Sequence, residues 1–337
     1  MTSGMAKAVE LIQKGQRFLL TCHVLPDADA VGSMLGLGEV LKALGKEVVL
    51  YNRDPIPDLL GFLPGIEDIR QGVPAGERFD ATLITDTAAR SLLPRVLPAP
   101  AIGGPRVIID HHLAHDDFGD LVLRDVNACA TAVVVLELAR ALGVDPLPRC
   151  AAEPLYTALA ADTGNFRYPG TTPDTLRLAA SLLDTGVDPW HVASHVFENW
   201  PMERMRLLGF AINAIETEFT GRVAILCVPL SMMERAGAGE RMVEGMVEYG
   251  RMIKGVEISI MLWERRPRSD ETDYGQLISR LSLRSAGRID VSRIAAALGG
   301  GGHRAAAGAT LACDMREARE RVLTEAGHAL GLELSDP

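Results

Sequence analysis

Val107-Ile108-Ile109-Asp110-His111-His112 is the stretch that decides how this chain is read: a β-branched apolar run ends abruptly in one acid and two imidazoles. A short apolar run of this kind, bounded by turn signals, forms a buried strand. Charge at the end of a buried strand is costly unless something neutralises it, and a divalent cation does so. Similar junctions recur in the same half of the sequence. Phe18–Val24 reads as a strand leading through His23 toward Asp27 and Asp29. Ala81–Thr85 leads into Asp86, and an apolar helical stretch, Glu153–Ala161, runs into Asp162-Thr163-Gly164. Together these junctions supply two imidazoles (His23, His111) and four carboxylates (Asp27, Asp29, Asp86, Asp162), with His112 left over. Any one of these acids, taken singly, is an ordinary loop residue or helix cap. Four element ends carrying ligand types argue for a metal site.

Working outward, strand and helix signals alternate. Ala30–Leu44 reads as a helix stopped by Gly45, Glu47–Tyr51 and Arg106–Asp110 as strands, and Thr131–Leu142 as a further apolar helix. Such alternation implies an α/β domain, a mainly parallel sheet with helices on both faces. In these sheets ligands bind beyond the carboxyl ends of the strands, where His23, Asp86 and His111 all fall. Residues 1–190 are expected to form this metal-binding domain, 191–214 a helical linker, and 215–337 a second, smaller α/β domain. In the latter, Gly221–Val228, Val256–Trp263 and Gln276–Leu283 read as strands around the charged loop Glu264–Asp273. A short helix, Val291–Leu298, precedes Gly299-Gly300-Gly301-Gly302-His303.

The 337 residues suffice for two cores. No window reaches the ~18 consecutive apolar residues of a membrane span, and Met1–Lys7 lacks the basic and apolar regions of a signal peptide. The five cysteines are scattered without CxxC spacing, which suits the reducing cytoplasm. A net charge of −10 disfavours extensive binding to long duplex nucleic acid but leaves room for a small anionic substrate met by local basic groups.

Mixed imidazole and carboxylate ligands without thiolate suit Mn²⁺, Mg²⁺, Fe²⁺ or Co²⁺ more than structural zinc. Too many carboxylates gather for one ion. Two ions bridged by a shared carboxylate would use them all, and such pairs serve in-line displacement at phosphorus. In the second domain, Gly300, Gly301 and Gly302 before His303 let backbone N–H groups approach an anion closely, although a helix end and turn is the plainer reading. Arg284 ends a strand with a guanidinium suited to bidentate phosphate recognition. Arg284, Ser285, His303 and Arg304 are expected to form one anion pocket facing the metal domain. Arg90, four residues after Asp86, is a candidate phosphate contact. His191 and His195 have metal-like spacing but read as an ordinary helix face, His115 with Asp116 and Asp117 as a solvated loop, and Met242–Met252 as helix packing. Asn165 and Phe166 follow Asp162 closely, and Phe166 reads equally as core or as a base-flanking ring.

These residues resemble the DHH phosphoesterases, specifically the group with a DHH-associated domain, over nearly the whole chain. His23-x-x-x-Asp27-x-Asp29 is similar to the family's first motif, Asp86 to the second, Asp110-His111-His112 to the third and Asp162 to the fourth. Ser282-Leu283-Arg284-Ser285 and Gly299–His303 resemble its substrate motifs. The combination is closest to the NrnA type, the nanoRNase and 3′-phosphoadenosine-5′-phosphate phosphatase. RecJ nucleases are longer, and family II pyrophosphatases lack the glycine run. The resemblance implies two divalent ions, Mn²⁺ being favoured. One would be held by His23, Asp27 and Asp86, the other by Asp29, Asp86, His111 and Asp162. Asp110 would orient a histidine and His112 would face substrate. It further implies hydrolysis of very short RNA from the 5′ end and of 3′-phosphoadenosine-5′-phosphate, and it is compatible with a homodimer. Rival readings are hydrolysis of linear or cyclic dinucleotide messengers, and a non-catalytic nucleotide sensor on the same fold.

Overall fold

The computed structural model describes residues 2–73, 76–94, 97–113, 116, 118–267 and 277–331, apart from the side chain of His303. His115, Asp117, the part of the charged loop at 268–273, and Gln276, the first residue of the expected strand Gln276–Leu283, lie outside the described residues. The chain divides into two compact units, Met1–Asn199 and Trp200–Pro337. Of the segment 191–214, residues up to 199 therefore go with the first unit and the rest with the second.

In the first unit five strands, β1 (Arg17–Cys22), β2 (Glu47–Tyr51), β3 (Ala81–Thr85), β4 (Arg106–Asp110) and β5 (Leu121–Arg124), form one sheet in the order β2-β1-β3-β4-β5. All the pairings are parallel. Alternation along each strand splits the core. Phe18, Leu20, Leu83, Val107 and Ile109 pack with the helices Ser3–Lys14, Ala28–Ala43, Thr131–Ala141 and Arg149–Asp162. The opposite face carries Leu19, Val49, Ile84 and Ile108, closed over by Phe79, Leu93 and Phe118. The short helical turns Arg90–Leu92 and Pro100–Gly103 lie along this part of the chain.

Two helices are set close by glycine. A Cβ on Gly32 would sit on the Pro154 carbonyl oxygen, and one on Gly36 would strike Leu155. The helices Ala28–Ala43 and Arg149–Asp162 therefore approach backbone to backbone, and each carries an expected ligand, Asp29 and Asp162.

Several boundaries differ from the expectation for local reasons. β1 stops at Cys22 because Val24 N–H turns away to the Leu92 carbonyl at 2.8 Å. The next helix begins at Ala28, because the Asp27 carboxylate accepts from Ala30 N–H at 3.0 Å and caps it. Asp29 thus sits in a helical first turn instead of a loop. The N-terminal helix, capped by Thr2 and burying Ala8, Val9 and Ile12, has an amphipathic period that the sequence reading passed over.

The second unit holds a mixed sheet, β6 (Glu216–Glu218), β7 (Val223–Val228), β8 (Ile258–Arg265), β9 (Ile278–Ser285), β10 (Gly301–His303) and β11 (Ala306–Leu311), ordered β10-β11-β9-β8-β7-β6. Only β7 and β8 run parallel. One core forms with the helices Val291–Ala297 and Met315–Ala329, and a second with Leu207, Leu208 and Ala211 of the helix Met202–Asn213. Met242 and Met246 pack into the latter. No helix among the described residues is long and apolar enough to cross a membrane.

Candidate metal centre

The sheet register brings the ligand-bearing strand ends level. Cys22 pairs with Thr85 and Thr85 with Ile109, so His23, Asp86 and Asp110 emerge side by side at the carboxyl edge. Asp86 is 3 % exposed and adopts a left-handed φ of 52°. Its N–H is held by the Ile109 carbonyl at 2.8 Å, which fixes this uncommon backbone turn.

Around Asp86 the other candidate ligands converge. His23 Nε2 lies 3.5 Å from Asp86 Oδ2 and 3.8 Å from Asp27 Oδ1. His111 Nε2 lies 3.3 Å from Asp162 Oδ2, 3.7 Å from Asp29 Oδ2 and 3.8 Å from Asp86 Oδ1. Three groups result, His23–Asp27–Asp86, Asp29–His111–Asp162 and Asp86–His111–His112, in each of which the ligand atoms lie within 4.8 Å of one another. Ligand atoms held about 2.1 Å from one cation lie roughly 3.0–3.4 Å apart, and the 3.3–3.8 Å separations around His23 and His111 lie at or slightly above that range.

The imidazole tautomers suit the same purpose. His23 Nδ1 lies 2.9 Å from the Val24 carbonyl and His111 Nδ1 3.1 Å from that of Ala128. A carbonyl accepts only from N–H, so in each ring Nε2 is the nitrogen left to face the acids. His112 is turned the other way. Its Nδ1 is the nitrogen that faces the acids, 2.7 Å from Asp110 Oδ1 and 3.5 Å from Asp86 Oδ1.

The electrostatics are those of a cation-hungry site. Burial and mutual repulsion from Asp86 push Asp29 and Asp162 well above the ordinary carboxylate range. Burial opposes charge on His23, yet hydrogen bonds to Asp27 and Asp86 outweigh it and raise His23 to about 12. The same His23 contact outweighs burial at Asp27 and lowers it to about 2. Burial also opposes a proton on His112, but Asp110 and Asp86 raise it to about 9.

Sequence reasoning missed the groups that hold the acids. Thr131 Oγ1 donates to Asp86 Oδ1 at 2.9 Å, and Thr131 N–H donates to Asp29 Oδ2 at 2.7 Å. Ala132 N–H reaches Asp29 Oδ1 at 3.3 Å, and Ser33 Oγ donates to the same oxygen at 2.9 Å. The helix Thr131–Ala141 follows Ala130, which has no capping side chain. Asp29 therefore supplies the missing N-terminal cap from a distant helix. The bare start of that helix was the available signal.

Arg90 is exposed, and its N–H is bound by Asp116 Oδ2 at 3.1 Å. Phe166 packs against the first core, whereas Asn165 is exposed. His191 meets Phe62 edge-on and His195 lies tilted over it, with ring centroids 5.2 and 4.5 Å away. In the second unit Arg284 Nε donates to Glu248 Oε1 at 2.8 Å, and Ser285 is buried with its Oγ accepting from Gly287 N–H at 3.3 Å. Gly299 ends the preceding helix with φ 79°. A Cβ on Gly300 would clash with the Gly308 carbonyl and one on Gly302 with that of Ala306, whereas Gly301 faces open space. Arg304 lines a cleft of about 500 Å³ with Arg288 and Arg293.

Residues 17–159 match the DHH family, N-terminal domain, and residues 221–330 the DHHA1 domain. The chain is 38 % identical, over 96 % of its length and 91 % of the relative's, to the bifunctional oligoribonuclease and PAP phosphatase NrnA of Thermus thermophilus. The chain belongs to the DHH family. It falls in the branch that carries a DHHA1 domain, with the NrnA-type proteins. The Bacillus subtilis protein of the same name is 26 % identical over 87 % of this chain and 88 % of that one. An exopolyphosphatase-related protein from Bacteroides fragilis shares the fold, with a TM-score of 0.85 at 24 % identity and 98 % coverage of both chains.

Proposed function

We propose that this DHH-family hydrolase is a two-metal phosphoesterase that degrades very short RNA from the 5′ end to nucleoside 5′-monophosphates and removes the 3′-phosphate of 3′-phosphoadenosine-5′-phosphate. Both reactions break the phosphoester on the 3′ side of a nucleotide. The observation that carries the reading is the interlocking of ligand groups through Asp86, which belongs both to the His23–Asp27 group and to the His111–His112 group. The activities for which the NrnA relatives are named support it.

His23, Asp27 and Asp86 would hold one divalent ion, and Asp29, Asp86, His111 and Asp162 the other, with Mn²⁺ the favoured metal. Bound there, the ions would supply positive charge to the phosphoryl oxygens and activate a water. Asp110 holds His112 by Nδ1, and His112 would donate a proton to the leaving oxygen. Asp29 anchors the helix Thr131–Ala141, and Thr131 fixes Asp86 in turn. Arg90 in the first unit, and Arg284, Ser285, His303 and the glycines Gly300–Gly302 in the second, are assigned to recognition of substrate phosphate.

Turnover with Mn²⁺ on 5′-phosphorylated RNA of two, five and twenty-four nucleotides tests this. The dinucleotide should be cleaved fastest, 3′-phosphoadenosine-5′-phosphate should yield AMP, and Asp86→Ala should abolish both activities and reduce bound metal. Fastest cleavage of the longest RNA, or near-normal turnover by Asp86→Ala, overturns the reading.

A further inference from the structure

Three loops that follow ligand-bearing strands each present an exposed leucine. Leu25 lies between His23 and Asp27, Leu92 follows Arg90, and Leu113 follows His112; they are 46 %, 41 % and 71 % exposed. The loops are tied to one another. Val24 N–H donates to the Leu92 carbonyl at 2.8 Å, Asp116 N–H to the Ala88 carbonyl at 2.8 Å, and Arg90 N–H to Asp116 Oδ2 at 3.1 Å. They leave the adjacent strands β1, β3 and β4 at the edge where the acids and imidazoles converge.

Single exposed leucines are ordinary, but Leu25 is not. Its backbone is left-handed, at φ 54°, a region that bulky L-residues avoid. Such strain persists only where the surroundings over-determine it, and it concentrates at functional sites. Here a polar clamp enforces it. Leu25 N–H donates to Asp54 Oδ2 at 2.9 Å, Asp54 N–H to Asn52 Oδ1 at 2.9 Å, and the fully buried Asn52 donates through Nδ2 to the His23 carbonyl at 2.9 Å. Glycine or asparagine would take this backbone shape with less strain and without exposing an apolar side chain. The leucine is thus unfavourable both for the backbone and for solvation unless something apolar covers it.

We propose that Leu25 and Leu92, with Leu113, form an apolar rim that receives the nucleobase of the substrate. The inference rests on the phosphoesterase reading above. The faces of the base are the large apolar surfaces of a nucleotide; the phosphate goes to the polyvalent cluster beside the rim. A purine covers more of such a rim than a pyrimidine, so adenine-bearing substrates are favoured over uracil-bearing ones.

The test compares the wild type with Leu25→Gly, Leu25→Asn and Leu92→Ser on adenosine 3′,5′-bisphosphate and on its 1-deoxyribose analogue, which lacks the base. KM and kcat are measured with Mn²⁺, and equilibrium binding of both compounds by calorimetry with Ca²⁺ replacing Mn²⁺. Leu25→Gly should raise KM and Kd for the adenosine compound roughly five- to tenfold, with a much smaller effect on the base-free one, and without lowering Tm. Leu92→Ser, which changes no left-handed residue, should act in the same direction. Equal losses on both compounds would mean that the leucines merely hold His23 and Asp27, and no change in either variant would mean that the rim is bare; each overturns the proposal. Absence of wild-type turnover would instead sink the phosphoesterase reading, while the binding comparison still decides the rim.

Discussion

Replacing Thr131 with valine probes how the candidate metal centre is held. Valine keeps the volume and the β-branch of threonine, so the fully buried helix start should repack with little strain. The backbone N–H to Asp29 is retained, and only the Oγ1 bond to Asp86, 2.9 Å long, is lost. A hydrogen bond to a charged group contributes about 1.5–3 kcal/mol. Taking ~2 kcal/mol, at about 1.4 kcal/mol per decade, Mn²⁺ affinity should fall roughly 30-fold, within the ~10–100-fold typical of groups that orient a metal ligand. Calorimetric titration of the metal-free protein with Mn²⁺ measures this directly, and Thr131→Ser, which keeps the hydroxyl, should stay near wild type. A valine variant that binds Mn²⁺ within threefold of wild type would refute the argument that Thr131 positions the shared carboxylate.

Stability should respond to pH and metal together. Asp29 and Asp162 are held well above the carboxylate range, His23 is at about 12 and His112 at about 9, so between pH 5 and pH 8 the folded, metal-free protein binds more protons than the unfolded chain. Its stability therefore falls as pH rises, and because Mn²⁺ competes with those protons the Tm gain on adding Mn²⁺ should be larger at pH 8 than at pH 6; an equal gain contradicts the site electrostatics. Glu248 would compete with a phosphate for Arg284, so Glu248→Gln should lower KM for 5′-phosphorylated dinucleotide severalfold while Arg284→Ala raises it; steady-state kinetics showing the same direction for both would remove Arg284 from recognition. Gly300→Ala should cost at least ~2 kcal/mol in denaturant unfolding, because its Cβ would strike the Gly308 carbonyl, whereas Gly301→Ala should leave stability almost unchanged; similar stability of the two variants would contradict the strand packing.

The ligand types of the candidate centre were legible because each sits one step beyond a short apolar strand or at a helix end, and both signals are local in sequence. Parallel pairing then needs only alternation of strand and helix, which the first half shows plainly. What the sequence could not supply was the partner of each ligand. Thr131 binds Asp29 across 102 positions, and Glu248 neutralises Arg284 across 36; no periodicity encodes either pairing, because it arises from how close two packed elements come. The same holds for the glycines. Gly300, Gly301 and Gly302 look alike in the chain, yet only the neighbouring strand β11 decides which of them has no room for a Cβ. The sequence by itself determined which atoms are available to bind cations, through local hydrophobic pattern and residue chemistry. Tertiary structure decided their distances, their tautomers and the left-handed turn at Leu25, because those depend on backbone contacts made between segments far apart in the chain.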